Sequence, residues 1–173
     1  MKKLWFIPLL ALLLTGCGGE QTRETVSDVH TAPVVAAAQR ILVQLPAELS
    51  APTLQSEKTG TLYVCEDYSV TLQTVEAGDL NRTIREATGM TRDSLQIMET
   101  MQDGIKRYQW VWAVGGETGV QVGRGCILDD GAYHYVITAM ADEENTGRVQ
   151  AAWQEIFRSF RLAQEREEVS TGS

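Results

Sequence analysis

Apolar and polar positions change period along the chain, and each change marks an element. An unbroken apolar block runs from Leu4 to Leu14, followed by a polar stretch, GGEQTRETVSDVHTA over residues 18–32, with neither helical nor strand period. RILVQLP, Arg40 to Pro46, reads as an entry strand stopped by proline, with a helical turn over Val34 to Gln39 before it. A single helix over Val34 to Gln44 fits the same residues. TLYVCED and YSVTLQTVE alternate as a hairpin around Asp67. GDLNRTIREATG has Asp79 as N-cap, an apolar stripe at Leu80, Ile84 and Ala87, and Gly89 as stop, the signature of a short helix. Strands follow at Leu95–Met101, Ile105–Val114, Gly119–Asp129 and Ala132–Met140, with Asp-Gly turns at Asp103-Gly104 and Asp130-Gly131. DEENTGRVQAAWQEIFRSFRL closes the domain as a helix, with Val149, Trp153, Ile156, Phe157 and Phe160 on one face.

That order predicts an α+β fold: an antiparallel sheet of about six to seven strands with helices packed on it. Residues 33–162 suit one domain with one core. AQEREEVSTGS, residues 163–173, turns charged and then small and polar, and predicts a disordered tail.

The N-terminus adds where the domain works. Met1-Lys2-Lys3, the apolar block and a small-residue exit make up an export signal, residues 1–16. As a membrane span the block is too short, reaching roughly 17 Å against a hydrocarbon core of ~30 Å. Leu14-Thr15-Gly16-Cys17 resembles the lipobox of bacterial lipoproteins: an apolar residue, two small ones, then a cysteine. The resemblance implies cleavage before Cys17 and a diacylglyceryl group on its sulfur, since a thiolate is the strongest nucleophile among ordinary side chains. Two acyl chains hold lastingly, whereas one holds only marginally. Residues 17–32 then become the lipidated cysteine and a flexible tether of roughly 20 Å. The expected location is the cell membrane or outer membrane, on the extracytoplasmic face, with the bilayer as a partner through Cys17.

Charge narrows the partners. Removal of residues 1–16 takes two lysines and no acids, leaving 13 basic and 23 acidic residues and a net charge of 13 − 23 = −10. Nucleic acid and anionic lipid headgroups repel such a chain, so a nucleic-acid partner is not expected.

From LPAEL through DDGAYHYVITAMA to WQEIFRSFRL the chain is similar to PsbP-like proteins. The recognisable part is a late strand rich in Tyr and Val followed by a terminal helix ending in Ser-Phe, Tyr133 to Leu162 here. The resemblance implies an α/β/α sandwich. It also implies an accessory or binding role, the family including an oxygen-evolving-complex subunit and LpqN-type lipoproteins of actinobacteria. No metal or partner site of that family is carried over to residues of this chain.

Strand register tests for chemistry. A two-residue loop at Asp130-Gly131 pairs Asp129 with Ala132, Ile127 with His134 and Cys126 with Tyr135. Paired residues share a face. Val120, Val122, Arg124, Cys126, Leu128, Tyr133, Tyr135 and Ile137 then share one face, and Gly123, Gly125, Ile127, His134, Val136 and Thr138 the other. Cys126 and His134 fall on opposite sides, which excludes a thiol protease, whose base must lie within ~3 Å of the sulfur. Leu95, Ile97, Tyr108, Trp110 and Trp112 share a face, and a four-residue GGET loop sets Trp110 opposite Gly123 and Tyr108 opposite Gly125. Two readings stand for these rings: covers for bare glycine backbone, or, with His134, a candidate recognition face. Cys65 and Cys126 are the thiols left once Cys17 is lipidated, either a disulfide of an oxidising compartment or small buried hydrophobes. With His30 in the tether and His134 on a strand, no zinc spacing is formed, and no metal or cofactor is expected.

The expectation is a non-catalytic, lipid-anchored accessory or binding module of the bacterial cell envelope, its partner another envelope protein or a small ligand held between sheet and helix. The alternatives are an envelope hydrolase with groups drawn from loops, or a structural spacer.

Overall fold

In the computed structural model of the chain, residues 37–56, 60–102, 104–116 and 119–163 are described. The export signal, the lipobox and the tether lie outside them, as does the tail beyond Ala163. Among the described residues, nine strands and two helices run in the order β1 (Ile41–Leu42), β2 (Leu54–Ser56), β3 (Gly60–Val64), β4 (Tyr68–Glu76), α1 (Leu80–Thr88), β5 (Met98–Gln102), β6 (Ile105–Gly116), β7 (Gly119–Asp129), β8 (Tyr133–Asp142), α2 (Thr146–Ser159) and β9 (Arg161–Leu162). Seven of the strands form one antiparallel sheet in the order β2-β3-β4-β8-β7-β6-β5, and β1 pairs with β9 in a separate ribbon. Among the described residues no helix is long and apolar enough to cross a membrane.

The two faces of the large sheet carry separate apolar clusters, because residues of one strand alternate sides. Cys126, Leu128, Tyr135, Ile137 and Ala139 pack with Val149, Trp153, Ile156 and Phe157 of α2. Ile127, Val136, Tyr108, Trp110 and Trp112 pack with Ile84 of α1. The fold is therefore α+β, with one helix layer on each side of the antiparallel sheet. Helix α1 starts where Asp79 accepts a hydrogen bond from the Asn81 amide at 3.0 Å and stops at Gly89, whose N–H donates to Arg85 O at 2.7 Å.

Several boundaries differ from the sequence expectation. The entry strand is only Ile41–Leu42 and gives way to a 3-10 turn at Ala47–Leu49; residues 37–40 are not helical, so a single helix reaching Gln44 does not form. Strand β5 starts at Met98 because a 3-10 turn occupies Arg92–Ser94, closed by the Ser94 hydroxyl donating to Thr91 O at 2.7 Å. Helix α2 stops at Ser159, since Arg161 and Leu162 pair with Leu42 and Ile41 and are drawn out of the helix. Strand β2, three residues long, was not expected: it is too short to show a period.

Two registers are also corrected. Asp129 pairs with His134 and Cys126 with Ile137, two positions from the expected partners. The Asp130 carboxylate explains the shift, as its Oδ1 accepts from the amides of Ala132 at 2.9 Å and Tyr133 at 2.7 Å. The loop becomes Gly131-Ala132, with Gly131 at φ 90° in its first place, a conformation that suits glycine. Likewise Gly116 pairs with Gly119, so the loop before β7 holds two residues rather than four. A shift by two preserves the period of the pleat, so every face assignment survives.

Candidate functional site

The cysteines and His134 are positioned for structure. His134 is 2 % exposed beneath α1, its Nδ1 2.8 Å from the Thr83 hydroxyl. Burial holds its pKa below the usual histidine value, against the pull of Asp129 and Asp130, which raises it. Cys126 is fully buried on the opposite face, and desolvation pushes its thiol up to about 12, so a thiolate is not available there at neutral pH. Cys65 and Cys126, for which a disulfide and buried small hydrophobes were the two readings, are both free thiols here. Cys65 follows β3 and Cys126 lies on β7, with β4 and β8 between them. Three strand spacings are about 14 Å, and a disulfide needs Cα atoms within about 7 Å.

The proposed recognition face is closed. Tyr108, Trp110 and Trp112 share a side with His134 as predicted, but all are 5 % exposed or less. Trp110 lies over Gly125 and Trp112 over Gly123, its cross-strand partner in each case. A Cβ on Gly125 would stand 2.4 Å from the Trp110 ring, and one on Gly123 2.3 Å from the Trp112 ring. The rings cover bare backbone and seal the α1 face, leaving these side chains no surface for a partner in this structure.

A solvent-open site sits on the other face, where three remote segments meet at the C-terminal end of α2. Arg107 on β6 points to that side and donates to Phe157 O at 2.6 Å and Phe160 O at 3.0 Å, capping the last carbonyls of the helix. The entering chain is pinned to the same place. The Gln44 amide donates to the Ser159 hydroxyl at 2.9 Å, and the Ala163 amide donates to Arg40 O at 2.8 Å. Further along, the Gln39 amide donates to the Tyr135 hydroxyl at 2.8 Å, which itself donates to Asp130 Oδ2 at 2.8 Å. Burial raises the Asp130 pKa, but the hydrogen bonds from Tyr133, Tyr135, Ala132 and Gln39 outweigh it and hold the carboxyl below its ordinary value. Asp130 therefore stays charged and ties the N-terminal segment to the end of the sheet.

Between these segments lies a cavity of roughly 690 Å³, walled by Leu42, Ile105, Leu128, Phe160 and Leu162 and by Arg107, Arg158 and Arg161. Gln39, Gln102 and Ala163 complete it. The volume is that of a small-ligand pocket. Among the described residues its lining holds three cations and no carboxylate, imidazole, thiol or hydroxyl. Apolar walls with a few cationic groups are the usual make-up of a ligand-binding cleft. Among the described residues no three His, Cys, Asp or Glu side chains come together to hold a metal. Sequence reasoning missed this site. The basic end of RSFR, Arg158 and Arg161, was a signal, but the arrival of β1 beside β9 was not readable.

No family model and no curated protein matches the sequence. Solved structures do. LpqN of Mycobacterium tuberculosis, described as involved in cell envelope biogenesis, is 13 % identical with a TM-score of 0.52, over 78 % of this chain and 88 % of that one. A point mutant of the protein Mog1 is 15 % identical with a TM-score of 0.48, over 72 % and 92 %. The cyanobacterial PsbP of Synechocystis, CyanoP, is 12 % identical with a TM-score of 0.48, over 87 % and 99 %. At these identities the likeness to LpqN is one of fold alone, and it agrees with the sheet and helix layers described above.

Proposed function

We propose that the protein is a lipid-anchored binding or accessory module of a bacterial cell envelope, working on the extracytoplasmic face without catalysing a reaction. The observation that carries the binding reading is the cavity at the end of α2, apolar and arginine-lined, with no acid, base or nucleophile among the described residues of its wall. Sequence supports the anchor: Leu14-Thr15-Gly16-Cys17 ends an apolar block too short to span a bilayer. An envelope setting is also consistent with a shared fold with LpqN.

Cell fractionation of the wild type and of Cys17→Ser tests the anchor. The wild type is expected in the membrane fraction with a mature N-terminus heavier by a diacylglyceryl group, and Cys17→Ser in the soluble fraction. Identical membrane fractionation of the two would overturn it.

A further inference from the structure

We infer that the cavity at the C-terminal end of α2 binds a single-chain anionic amphiphile, an alkyl chain carrying a carboxylate or phosphate head. The inference rests on the binding-module reading and adds the class of ligand.

Charge at the cavity favours an anion. The chain carries 23 acidic against 15 basic residues, yet among the described residues three arginines and no acid line this cavity. A positive concavity on an acidic protein selects for anions by contrast with its surroundings. Arg107 is held rigidly by its two carbonyl partners. With the Gln109 amide oxygen taking Nε at 2.6 Å and Nη2 at 3.3 Å, four of its five N–H groups are engaged and one on Nη1 remains. Arg107 thus contributes mainly a fixed charge, and Arg158 and Arg161 the free donors. Among the described residues neither Arg107 nor Arg161 has an ion-pair partner; Arg158 has Glu155, at 2.5 Å on the exposed side of α2. An arginine left without a carboxylate in so acidic a chain is where an anion from outside would sit.

Shape and polarity favour an apolar tail on that anion. Five apolar side chains, Leu42, Ile105, Leu128, Phe160 and Leu162, form a wall that a bare anion such as phosphate would not use. Burying a methylene there contributes about 0.8 kcal/mol. The combination of a cationic lining and an apolar wall matches a head and a tail on one molecule. It matches a polar metabolite or a neutral hydrocarbon less well.

Isothermal titration tests this on the exported chain carrying Cys17→Ser, with the signal removed, which leaves every described residue unchanged. The probes are dodecanoate and dodecyl phosphate below their micellar concentrations, with dodecyltrimethylammonium and inorganic phosphate for comparison. Both anionic amphiphiles are expected to bind, the cationic one at least about 10-fold more weakly, and inorganic phosphate without measurable heat. Arg158→Gln together with Arg161→Gln is expected to weaken the anions about 10-fold, each exposed charge contributing up to about fivefold. The pair Arg82→Gln and Arg85→Gln on α1 is expected to change nothing. Tighter binding of dodecyl phosphate identifies a phospholipid-derived head and tighter binding of dodecanoate a free fatty acid, and either supports the inference. Equal affinity for the anionic and cationic amphiphiles, an unaffected Arg158/Arg161 variant, or a dimer joined through this face with no amphiphile bound would overturn it. Anchoring is read separately by fractionation, so failure of one reading is distinguishable from failure of the other.

Discussion

The two faces of one sheet are filled by opposite strategies. Beneath α1, strand β7 presents Gly123 and Gly125, and the space they leave is taken by Trp112 and Trp110 from β6. On the other side the same strand presents Arg124 and Cys126, and β6 presents Arg107. Arg124 stacks over the Phe157 ring at 4.6 Å, and Arg107 caps α2. Large side chains over bare backbone leave little room and seal a face. Long cationic side chains on the other side reach the carbonyls and a ring of α2, and a cavity lies beside the helix end. The alternation of a single strand thus decides which side is core and which side is open.

The largest expected effect comes from spoiling the sealed side. Gly125→Ala would set a methyl 2.4 Å from the Trp110 ring, which is packed in one buried cluster with Ile84 of α1. Calorimetry is expected to show a loss of about 2–3 kcal/mol, a fall in Tm of roughly 10 °C. A Tm unchanged within a degree would mean that the rings do not depend on the glycines. On the open side the corresponding change is Arg107→Met, which leaves the Phe157 and Phe160 carbonyls unpaired. A loss of about 2 kcal/mol is expected in urea unfolding, with partial recovery in Arg107→Lys, which restores the charge but not the fork. Equal stability of Met and Arg there would remove the capping role.

The sequence was legible where one strand could be read against its neighbour. Asp79 and Gly89 bounded α1, Tyr108, Trp110 and Trp112 fell on one face, and Cys126 was separated from His134, because local periods determine all three. Register was less legible: the Asp130 side chain bonds to the amides of Ala132 and Tyr133 and moves the loop by one residue, which no dipeptide rule contains. The cavity was not legible at all. It depends on Ile41 and Leu42 pairing with Leu162 and Arg161 from the far end of the chain, and on the loss of the last helical turn that this pairing imposes.

A pH titration probes the sealed side more gently. His134 is buried as the neutral ring, its pKa below the unfolded value of 6.5. The unfolded chain therefore binds the extra proton first, so stability contributed by neutral His134 is present above pH 6.5 and declines as pH falls below it toward the folded pKa. His134→Gln should flatten that decline in urea midpoints measured between pH 7 and pH 5. A slope identical in both proteins would assign the acid sensitivity to other groups.

The smallest effect concerns the thiols, and it bears on the open side. With β4 and β8 between them, Cys65 and Cys126 have no route to a bond in the folded domain, so adding reductant should change neither mass nor Tm. Alkylation separates them further. Cys65 is half-buried and its thiol lies 3.4 Å from Tyr68 O, whereas Cys126 is fully enclosed under α2 with its thiol pushed up to about 12. Iodoacetamide on the native protein should mark Cys65 first and reach Cys126 only in denaturant. Rapid native labelling of Cys126 would mean that α2 opens away from the sheet. The α2 side would then be mobile, and its cavity would share the helix's motion instead of being a fixed pocket beside it.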